Sequence, residues 1–425
     1  MQQTLKMKIS KYLKKIIKII FYFLSPIIIL IQLIIYPLIK IRFSFLSSQR
    51  IGEIASRMEI HLSENNLNSR KDYFDVFILT DIISNKTYIE LLKKKVLILP
   101  NVITFPIYKV IKILGNKLKF LNKLLYETKQ QDSNFSILRS NVNLKPDSDF
   151  ILKGENFLKS IGVPVNSKII CLIVRDDEYL KKKFPNKDFE YHSFRNCNIE
   201  NFKNAINSAT KRGYYVFRMG EITNKELKIN NKMYIDYSAK HRTDFLDIFL
   251  AYKCNFCITT NTGWDAVPAY TFRKPVVWTN HVPVGYLLTY SPDFLFSIKI
   301  HQNSITKKKL NLKKISESHA SYGFGSKIYK NVNIEFLENT PKELEDLTIE
   351  MIDKLEGRLE YSKEDEDLQN AFWKIYIEYF NLDKIKFNLP HKVNPLWCTS
   401  KRLYNNKIIS RIGKNFLKEN IFLIN

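Results

Sequence analysis

The chain has 425 residues, 45% of them apolar, which is enough for two or three domains with buried cores. Its five cysteines are an odd number and lie mostly in apolar runs, a pattern typical of a reduced, cytoplasmic protein that excludes a disulfide framework. The net charge is +25, and residues 1–50 contribute nine basic and no acidic residues to it. The sequence contains no zinc finger, RNP-like motif or basic helix interleaved with aromatic residues, so nucleic acid is not the expected partner.

The first 49 residues predict a basic and apolar segment that associates with a membrane. Six lysines between positions 6 and 18 precede residues 19–39, which carry no charge. As a helix this run would be about 31 Å long, enough to cross a bilayer core. Pro26 is expected to kink or break the helix, and Lys40 and Arg42 place positive charge beyond it. Charge on both sides favours a monotopic anchor on the cytoplasmic face of the inner membrane, with a single span or a buried helix as alternatives.

Residues 50–130 predict a small α/β domain. Its expected elements are a helix at 51–62, a strand at 73–79, a helix at 87–94, a strand at 96–99 and a long basic helix at 107–128. Residues 131–149 are rich in Gln, Asn, Ser and Asp and contain Pro146, which is typical of a linker between domains.

Residues 150–340 predict a second and larger α/β domain. Strands and helices alternate through it, with strands at 169–174, 214–217, 233–235, 254–258 and 276–278. Alternation at this spacing indicates a doubly wound parallel sheet. The helical segments at 341–356 and 363–380 carry an apolar stripe that helical periodicity alone assigns to an ordinary core. The basic, amphipathic tail at 399–425 suits docking on the first domain or on the anionic membrane face.

The stretch from residue 254 to 285 predicts a strand, a small polar loop at 259–263, a helix at 264–272 and another strand. In a parallel sheet, such a loop lies where a helix N-terminus offers N–H groups to an anion. Thr260, Asn261, Thr262 and Gly263 can hydrogen-bond a phosphate or a sugar without adding bulk. An ordinary helix cap is the alternative reading. The Cys254-x-x-Cys257 pair has no second pair at metal-ligand spacing and is expected in the core.

Two arginines follow neighbouring predicted strands of the same domain. Arg175 follows the strand at 169–174, and Arg218 with Gly220 follows the strand at 214–217. Parallel strands end at one rim, so both guanidinium groups are expected to face the loop at 259–263 as a diphosphate clamp. A lone strand-end arginine is more often part of a surface salt bridge.

Further candidates lie on the same rim. His192 is a candidate general base or diphosphate ligand, with Arg195 and Asn196 beside it, although a histidine in a loop also packs against neighbouring helices. His281 follows the strand at 276–279 and is a candidate contact for a ligand bound at this rim, or it only turns the chain before Pro283. Asp176 begins an acidic cluster, Asp176-Asp177-Glu178, that resembles a metal site.

The segments VRDDEYL, YHSFRNCNIENF, RGYYVFRMG, RTDFLDIFLAYKCNFCITTNTGWDAVP, FRKPVVWTNHVP and YGFGSKIY, in this order, resemble a family of bacterial glycosyltransferases found with surface-polysaccharide genes. The resemblance covers roughly residues 50–420. Glu53 stands where a histidine often follows RIG in that family, and the loop TTNTGWDAVP replaces a more serine-rich version.

The resemblance implies a GT-B-like fold, in which two Rossmann-like domains face a cleft. The first, at residues 50–130, is then the acceptor-side domain, and the second binds a nucleotide-sugar donor. The resemblance also implies that the C-terminal helices of residues 341–425 pack back on the first domain. It implies a metal-independent glycosyltransferase without a cofactor that acts on a lipid-linked or glycan acceptor in surface-glycan assembly. His192 or Asp176 is then the expected proton acceptor. The alternatives are a nucleotide-sugar epimerase or hydrolase of the same fold and a non-catalytic basic module that binds anionic lipid or nucleic acid.

Overall fold

The computed structural model describes residues 2–68, 72–130, 132, 135–183, 190–222, 226–288, 291–318, 320–380 and 409–425. Cys398 and residues 399–408 of the basic tail therefore lie outside the described residues. The chain divides into two compact units. Unit 1 comprises residues 1–130 and 139–145, and unit 2 comprises residues 131–138 and 146–425.

Unit 1 is built on a parallel sheet of three strands in the order β1-β2-β3. Its elements, in chain order, are α1 (Gln2–Ile35), β1 (Lys40–Leu46), α2 (Ile51–Asn68), β2 (Tyr73–Leu79), α3 (Lys86–Lys93), β3 (Leu97–Ile98), α4 (Asn101–Gly115) and a 3₁₀ helix (Lys119–Leu124). The short helix α5 (Ser136–Arg139) follows, and its first three residues belong to unit 2. The predicted strands at 73–79 and 96–99 are confirmed, because both are short runs rich in β-branched and aromatic or aliphatic residues.

The core of unit 1 includes part of the N-terminal apolar helix. Ile29 of α1 is buried with Phe43 of β1, Ile78 of β2 and Ile111 of α4. Gln32 of α1 also donates a hydrogen bond from Nε2 to the Ile41 carbonyl, 2.7 Å away. The helix α1 is therefore a structural part of unit 1.

Three expectations for this region were wrong. The boundary at residue 49 cuts through unit 1, because β1 lies inside the segment expected only to meet a membrane. The helix expected at 107–128 is α4 followed by a 3₁₀ helix, with Gly115 at the break. Pro26 does not end α1, which continues to Ile35, where the following Pro37 disfavours further helix.

Unit 2 is built on a parallel sheet of seven strands in the order β12-β9-β8-β7-β4-β5-β6. These strands are β4 (Lys168–Ile173), β5 (Tyr214–Arg218), β6 (Tyr234–Ile235), β7 (Phe256–Thr259), β8 (Val276–His281), β9 (Phe294–Ile298) and β12 (Arg411–Ile412). A separate antiparallel pair is formed by β10 (Ile300–Asn303) and β11 (Ile334–Leu337). The expected parallel α/β architecture is confirmed.

The helices of unit 2 cover this sheet. They are α6 (Ser148–Ser160), α7 (Glu178–Lys183), α8 (Lys203–Lys211), α9 (Tyr237–Lys240), α10 (Asp244–Lys253), α11 (Leu312–Glu317), α12 (Ser326–Asn331), α13 (Pro341–Leu355), α14 (Lys363–Phe380) and α15 (Lys414–Glu419). The strands at their centre are buried on both faces, which is why they read as unbroken apolar runs in the sequence.

The chain order of the strands places a switch point at the centre of the sheet. From β4 the chain adds β5 and β6 on one side, and it then returns to add β7, β8 and β9 on the other side. Open α/β sheets bind ligands outside the carboxyl ends of the strands at such a point. Here it lies between the ends of β4 and β7.

The C-terminal helices α13 and α14 pack within unit 2. That they also pack back on the first domain stays a prediction. Leu344, Leu347 and Met351 of α13 join the same buried cluster as Ile206 of α8. Gln369 of α14 donates to the Ile412 carbonyl of β12, 2.8 Å away. Their apolar stripes are used to complete the core of unit 2.

Candidate functional site

Hydrogen bonds join the ends of β4 and β7 at the switch point. The backbone N–H of Arg175 donates to Thr260 Oγ1 at 2.8 Å, and the N–H of Thr260 donates to the Ile173 carbonyl at 3.3 Å. Arg175 is half-buried, whereas Thr260 is buried. The chain thus fixes Arg175 directly beside the loop at 259–263, as the sequence predicts.

The buried carboxylate of Asp265 holds the loop in place through hydrogen bonds. Asp265 Oδ2 accepts from Thr259 Oγ1 at 2.8 Å and from Thr262 Oγ1 at 3.4 Å. Burial raises the pKa of Asp265 to about 6, against the opposing effect of these hydroxyls and of Arg195. Asn261, at the top of the loop, has φ of 58°, a left-handed conformation that asparagine tolerates better than most residues.

Arg195 reaches the same loop from a different part of the chain. Its Nη2 donates to the Asn261 carbonyl. Burial, and then the positive charge of Arg175, lower the pKa of Arg195 to about 10. At neutral pH two guanidinium groups are therefore held near each other beside a polar loop. This arrangement attracts an anion that has enough oxygens to accept hydrogen bonds from both guanidinium groups.

Several polar atoms at this place are buried without using their hydrogen-bonding capacity. Among the described residues, Arg195 Nε, Asn196 Oδ1 and Asn261 Nδ2 have no hydrogen-bond partner, although each atom is buried. Leaving a buried polar group unsatisfied costs about 1–3 kcal/mol. A bound ligand with hydroxyl and phosphate oxygens would satisfy the two donors and the acceptor together.

A buried lysine positions the segment that carries Arg195. Lys299, directly after β9, is 3% exposed. Its Nζ donates to the Phe194 carbonyl at 3.2 Å and to the Asn196 carbonyl at 2.6 Å. From the other side, Ser326 Oγ at the start of α12 donates to the Glu190 carbonyl at 3.0 Å. The 3₁₀ helix Glu190–Arg195 is thereby fixed at both ends, and Lys299 adds a third positive charge near the rim.

The helix expected after the loop is only a π-helical turn, Val267–Thr271, with Pro268 inside it. A turn of five residues does not supply the dipole and the row of free N–H groups of a long helix. The expectation that a helix N-terminus binds the anion here was therefore wrong. Side chains and loop atoms have to supply the positive potential.

Arg218 is not the exposed clamp residue that the sequence predicts. Its side chain is 4% exposed, and Nη1 lies 3.0 Å from Oδ2 of Asp236, which is equally buried. Since β5 lies on the far side of β4 from β7, Arg218 also ends a strand that does not border the switch point. A buried guanidinium needs a carboxylate partner, and Asp236 after β6 provides it.

The remaining predicted site residues lie at the carboxyl ends of strands or in the segment that contains Arg195. Gly220 has φ of 150°, a value that favours glycine, two residues after β5. His281 ends β8 buried, with its ring 5.5 Å from the Phe296 ring. Asp176 Oδ1 accepts from the N–H of Glu178, the first residue of α7, at 3.2 Å. The His192 ring lies 3.9 Å from the Tyr191 ring. Gly263 is exposed at the loop surface.

Two residues of the site escaped the sequence analysis. Asp265 follows the loop within an apolar stretch, where a carboxylate is expected only if it has hydrogen-bond donors, and that was its signal. Lys299 follows the apolar run 294–298. Had that run been predicted as a strand, Lys299 would have been a candidate site residue at its carboxyl end. Both position the loop and the Arg195 segment.

The four cysteines within the described residues are buried, and one of them touches the site: Cys197 Sγ donates to the Arg195 carbonyl at 3.5 Å. Cys171, Cys254 and Cys257 lie buried in or beside the central strands, and Cys197 is buried below Arg175, whose carbonyl accepts from the Cys197 N–H at 3.0 Å. All four are free thiols. Within the described ranges, no group of three or more His, Cys, Asp or Glu side chains has the arrangement of a metal site.

No protein-family model matches the chain, and no curated protein matches its sequence. Solved structures match it at low similarity. A glycosyl transferase family 9 protein from Veillonella parvula aligns over 56% of this chain and 80% of its own, at 10% identity and a TM-score of 0.35. An E. coli heptosyltransferase aligns over 60% and 92%, at 10% identity and a TM-score of 0.28. A Listeria monocytogenes protein described as a UDP-N-acetylglucosamine 2-epimerase aligns over 57% and 79%, at 10% identity and a TM-score of 0.28.

These neighbours include glycosyltransferases and an epimerase. At TM-scores below 0.5 the likeness decides neither the fold family nor the reaction. The chemistry has to be inferred from the residues at the switch point.

Proposed function

We propose that the protein is a glycosyltransferase that takes a sugar from a nucleotide-sugar donor, and that the donor diphosphate binds at the switch point of unit 2. The observation that carries this proposal is the meeting of Arg175 and Arg195 beside the loop of Thr260 and Asn261. Two phosphates offer enough oxygens for both guanidinium groups and for the unsatisfied Asn261 amide.

The same arrangement suits the chemistry of glycosyl transfer. As the bond between sugar and diphosphate breaks, negative charge grows on the departing phosphate. A fixed guanidinium stabilises that transition state more than the ground state. Arg175 and Arg195 can do this without a metal ion, so we infer a metal-independent enzyme of GT-B type. Thr262, Gly263, Asn196, Gly220 and His281 complete the donor-binding set that we propose.

For the proton acceptor we retain His192 and Asp176. His192 lies three residues before Arg195 in the same 3₁₀ helix, so it is close in the chain to a residue of the proposed donor site. Asp176 directly follows Arg175, although one of its oxygens already accepts from the Glu178 N–H. We infer that the acceptor hydroxyl loses its proton to one of these two groups.

We further propose that unit 1 serves the acceptor side, and that the acceptor is lipid-linked or a glycan at the cytoplasmic face of the inner membrane, in bacterial surface-glycan assembly. The apolar helix α1 supports this location. Its residues Tyr12–Ile35 are long and apolar enough to cross a membrane by length and composition. An epimerase or hydrolase of similar architecture would need no such contact with lipid.

The proposal is tested by the thermal shift of the full chain with a panel of nucleotide sugars. A ligand present at 100 times its dissociation constant stabilises the folded state by about 2.7 kcal/mol. We expect a shift with at least one nucleotide sugar, and its loss in Arg175→Ala and Arg195→Ala. Arg212→Ala is the matched control, because Arg212 is a partly exposed residue of unit 2 that pairs with Asp353.

The bound nucleotide sugar is then incubated with lipid and glycan acceptors. Sugar incorporated into an acceptor supports the transferase. Conversion of the donor to its epimer, or to a free sugar without an acceptor, would instead identify the rival activity. If both alanine variants bind every donor as the parent chain does, the donor site lies elsewhere.

A further inference from the structure

The helix α1 has one narrow buried face and a broad exposed apolar face. Ser25, Ile29 and Gln32, at successive turns, are buried against the rest of unit 1. Phe21, Ile28 and Leu33 pack partly buried against the same core. On the other side of the helix, Phe23 is 80% exposed, and Ile27, Leu30, Ile31 and Ile34 are exposed too. An exposed apolar strip of this length is rare on a protein surrounded only by water.

A second exposed apolar strip lies on the neighbouring element of unit 1. It consists of Ile113 (61% exposed), Leu114, Leu118 and Phe120 (55% exposed), at the end of α4 and the start of the 3₁₀ helix that follows. Lys18 of α1 lies 5.8 Å from the ring of Phe105, and the Nζ of Lys123 lies 4.3 Å from the ring of Tyr36. The two segments therefore run side by side in the same direction, and the second strip accompanies the C-terminal half of α1.

These two segments also concentrate the positive charge of the chain. Residues 1–50 carry nine Lys and Arg and no acidic residue, and residues 101–126 carry five lysines and no acidic residue. Together they account for +14 of the net +25. Positive charge around an apolar surface fits a leaflet with anionic headgroups, where each Lys or Arg near the surface contributes about 1 kcal/mol.

We propose that unit 1 lies on an anionic lipid leaflet through both strips, with α1 in the plane of the interface and the segment 113–120 inserted beside it. A spanning α1 would be surrounded by lipid tails, but its face of Ser25 and Gln32 is occupied by β1 and α4, and Gln32 bonds to the Ile41 carbonyl. Keeping these contacts holds the helix against the globular unit. This inference rests on the proposed membrane location and not on the proposed glycosyl transfer.

The test is flotation of the full chain with vesicles. We expect strong binding to vesicles of phosphatidylglycerol and phosphatidylethanolamine, and weaker, salt-insensitive binding to phosphatidylcholine alone. Ile113→Glu combined with Phe120→Glu should lower the bound fraction by roughly tenfold or more, because two apolar contacts are lost and two charges repel the headgroups. Leu152→Glu is the matched control, since Leu152 is equally exposed (55%) but lies in α6 of unit 2.

Undiminished flotation of the double variant would show that the second strip does not contact the lipid and would overturn that part of the proposal. A chain that stays out of the lipid fraction as a stable dimer would show that another copy covers the apolar surface instead. Nucleotide-sugar binding by the double variant, measured by thermal shift, should be unchanged, so a failure here is separate from a failure of the donor site.

A topology measurement distinguishes lying in the interface from spanning. In a Cys398→Ser background, Lys14→Cys and Arg50→Cys place one thiol before and one after the apolar run. With an impermeant thiol reagent, both should be labelled from the cytoplasmic side only. Labelling from opposite sides would show that α1 spans the membrane and would overturn the proposal.

Discussion

Arg175 follows β4 and Arg218 ends the adjacent parallel strand β5, yet their surroundings give them different roles. Arg175 is half-buried beside the loop at 259–263, whereas Arg218 is paired with Asp236 where water scarcely reaches. The sequence shows only that each arginine follows an apolar run. The position of each strand relative to the switch point decides which of them can meet a ligand.

Replacing Arg218 should therefore affect stability rather than binding alone. Arg218→Ala leaves Asp236 buried without its partner, and breaking a buried pair in this way costs about 3–5 kcal/mol. Unfolding by urea, followed by tryptophan fluorescence, reports on unit 2, where Trp264, Trp278 and Trp373 lie. The control Arg212→Ala removes a more exposed pair and should cost no more than about 1 kcal/mol. Equal stability of the two variants would contradict this account.

Asp265 should make the stability of unit 2 depend on pH. Its pKa is raised from 3.8 to about 6 on folding, so the folded state binds the proton more tightly than the unfolded state. The resulting stabilisation is complete below about pH 4 and is lost as the pH rises through about 6, with a total of roughly 3 kcal/mol at 1.36 kcal/mol per pKa unit. Asp247 and Glu350 have raised pKa values too, so the parent chain alone does not isolate this effect.

The comparison that isolates it is Asp265→Asn, which cannot ionise. Urea unfolding of both chains across pH 4 to 7 should show the parent losing stability relative to the variant as the pH rises. Parallel pH profiles would show that Asp265 titrates in the folded chain as it does in the unfolded chain.

At the scale of elements, α1 and β1 belong to the fold of unit 1. The sequence pattern alone favours a detachable anchor, whose removal would release the protein from membranes and leave both domains folded. In the structure, however, residues 1–42 include Ile29 of the core and Arg42, whose Nε and Nη2 donate to the two Asp75 oxygens at 2.7 and 2.8 Å.

Deleting residues 1–42 should consequently unfold unit 1. Hydrogen exchange measured by mass spectrometry should show loss of protection in β2 and α4, while the strands of unit 2 keep theirs. Deleting only residues 2–11, which leaves Ile29 and Arg42 in place, is the control and should preserve protection. Full protection of β2 in the longer deletion would mean that α1 is an independent anchor after all.

At the scale of the whole molecule, the excess of positive charge bears on the question of metal dependence. Arg175, Arg195 and Lys299 supply cationic groups at or near the proposed donor site. We expect sugar transfer to continue in EDTA, because guanidinium groups stabilise the leaving diphosphate. The measurement is the initial rate with EDTA, with and without added manganese or magnesium. Loss of the rate in EDTA and its recovery with metal would point to Asp176 and its acidic neighbours as ligands.

The amino-acid sequence by itself determined the local elements and the rim of unit 2. Apolar runs bounded by polar loops located β2, β4, β5, β7 and β8. Of these, β4, β7 and β8 are buried on both faces, and such strands are rich in apolar residues. Since parallel strands end at one edge, the same reasoning placed Arg175 beside Thr260, and the structure joins them at 2.8 Å. The apolar pattern was sufficient to locate the strands, and the shared strand direction was sufficient to place Arg175 beside Thr260.

Only the tertiary structure decided the features that depend on residues far apart in the chain. The pairing of Arg218 with Asp236, the support of the Arg195 segment by Lys299, and the use of the apolar N-terminal helix as part of a core all involve partners from separate elements. The sequence shows that Arg218 is basic and that residues 19–39 are apolar. Whether such groups face a ligand, a lipid or the protein interior depends on which surfaces the fold brings against them, because burial and pairing are properties of the assembled chain.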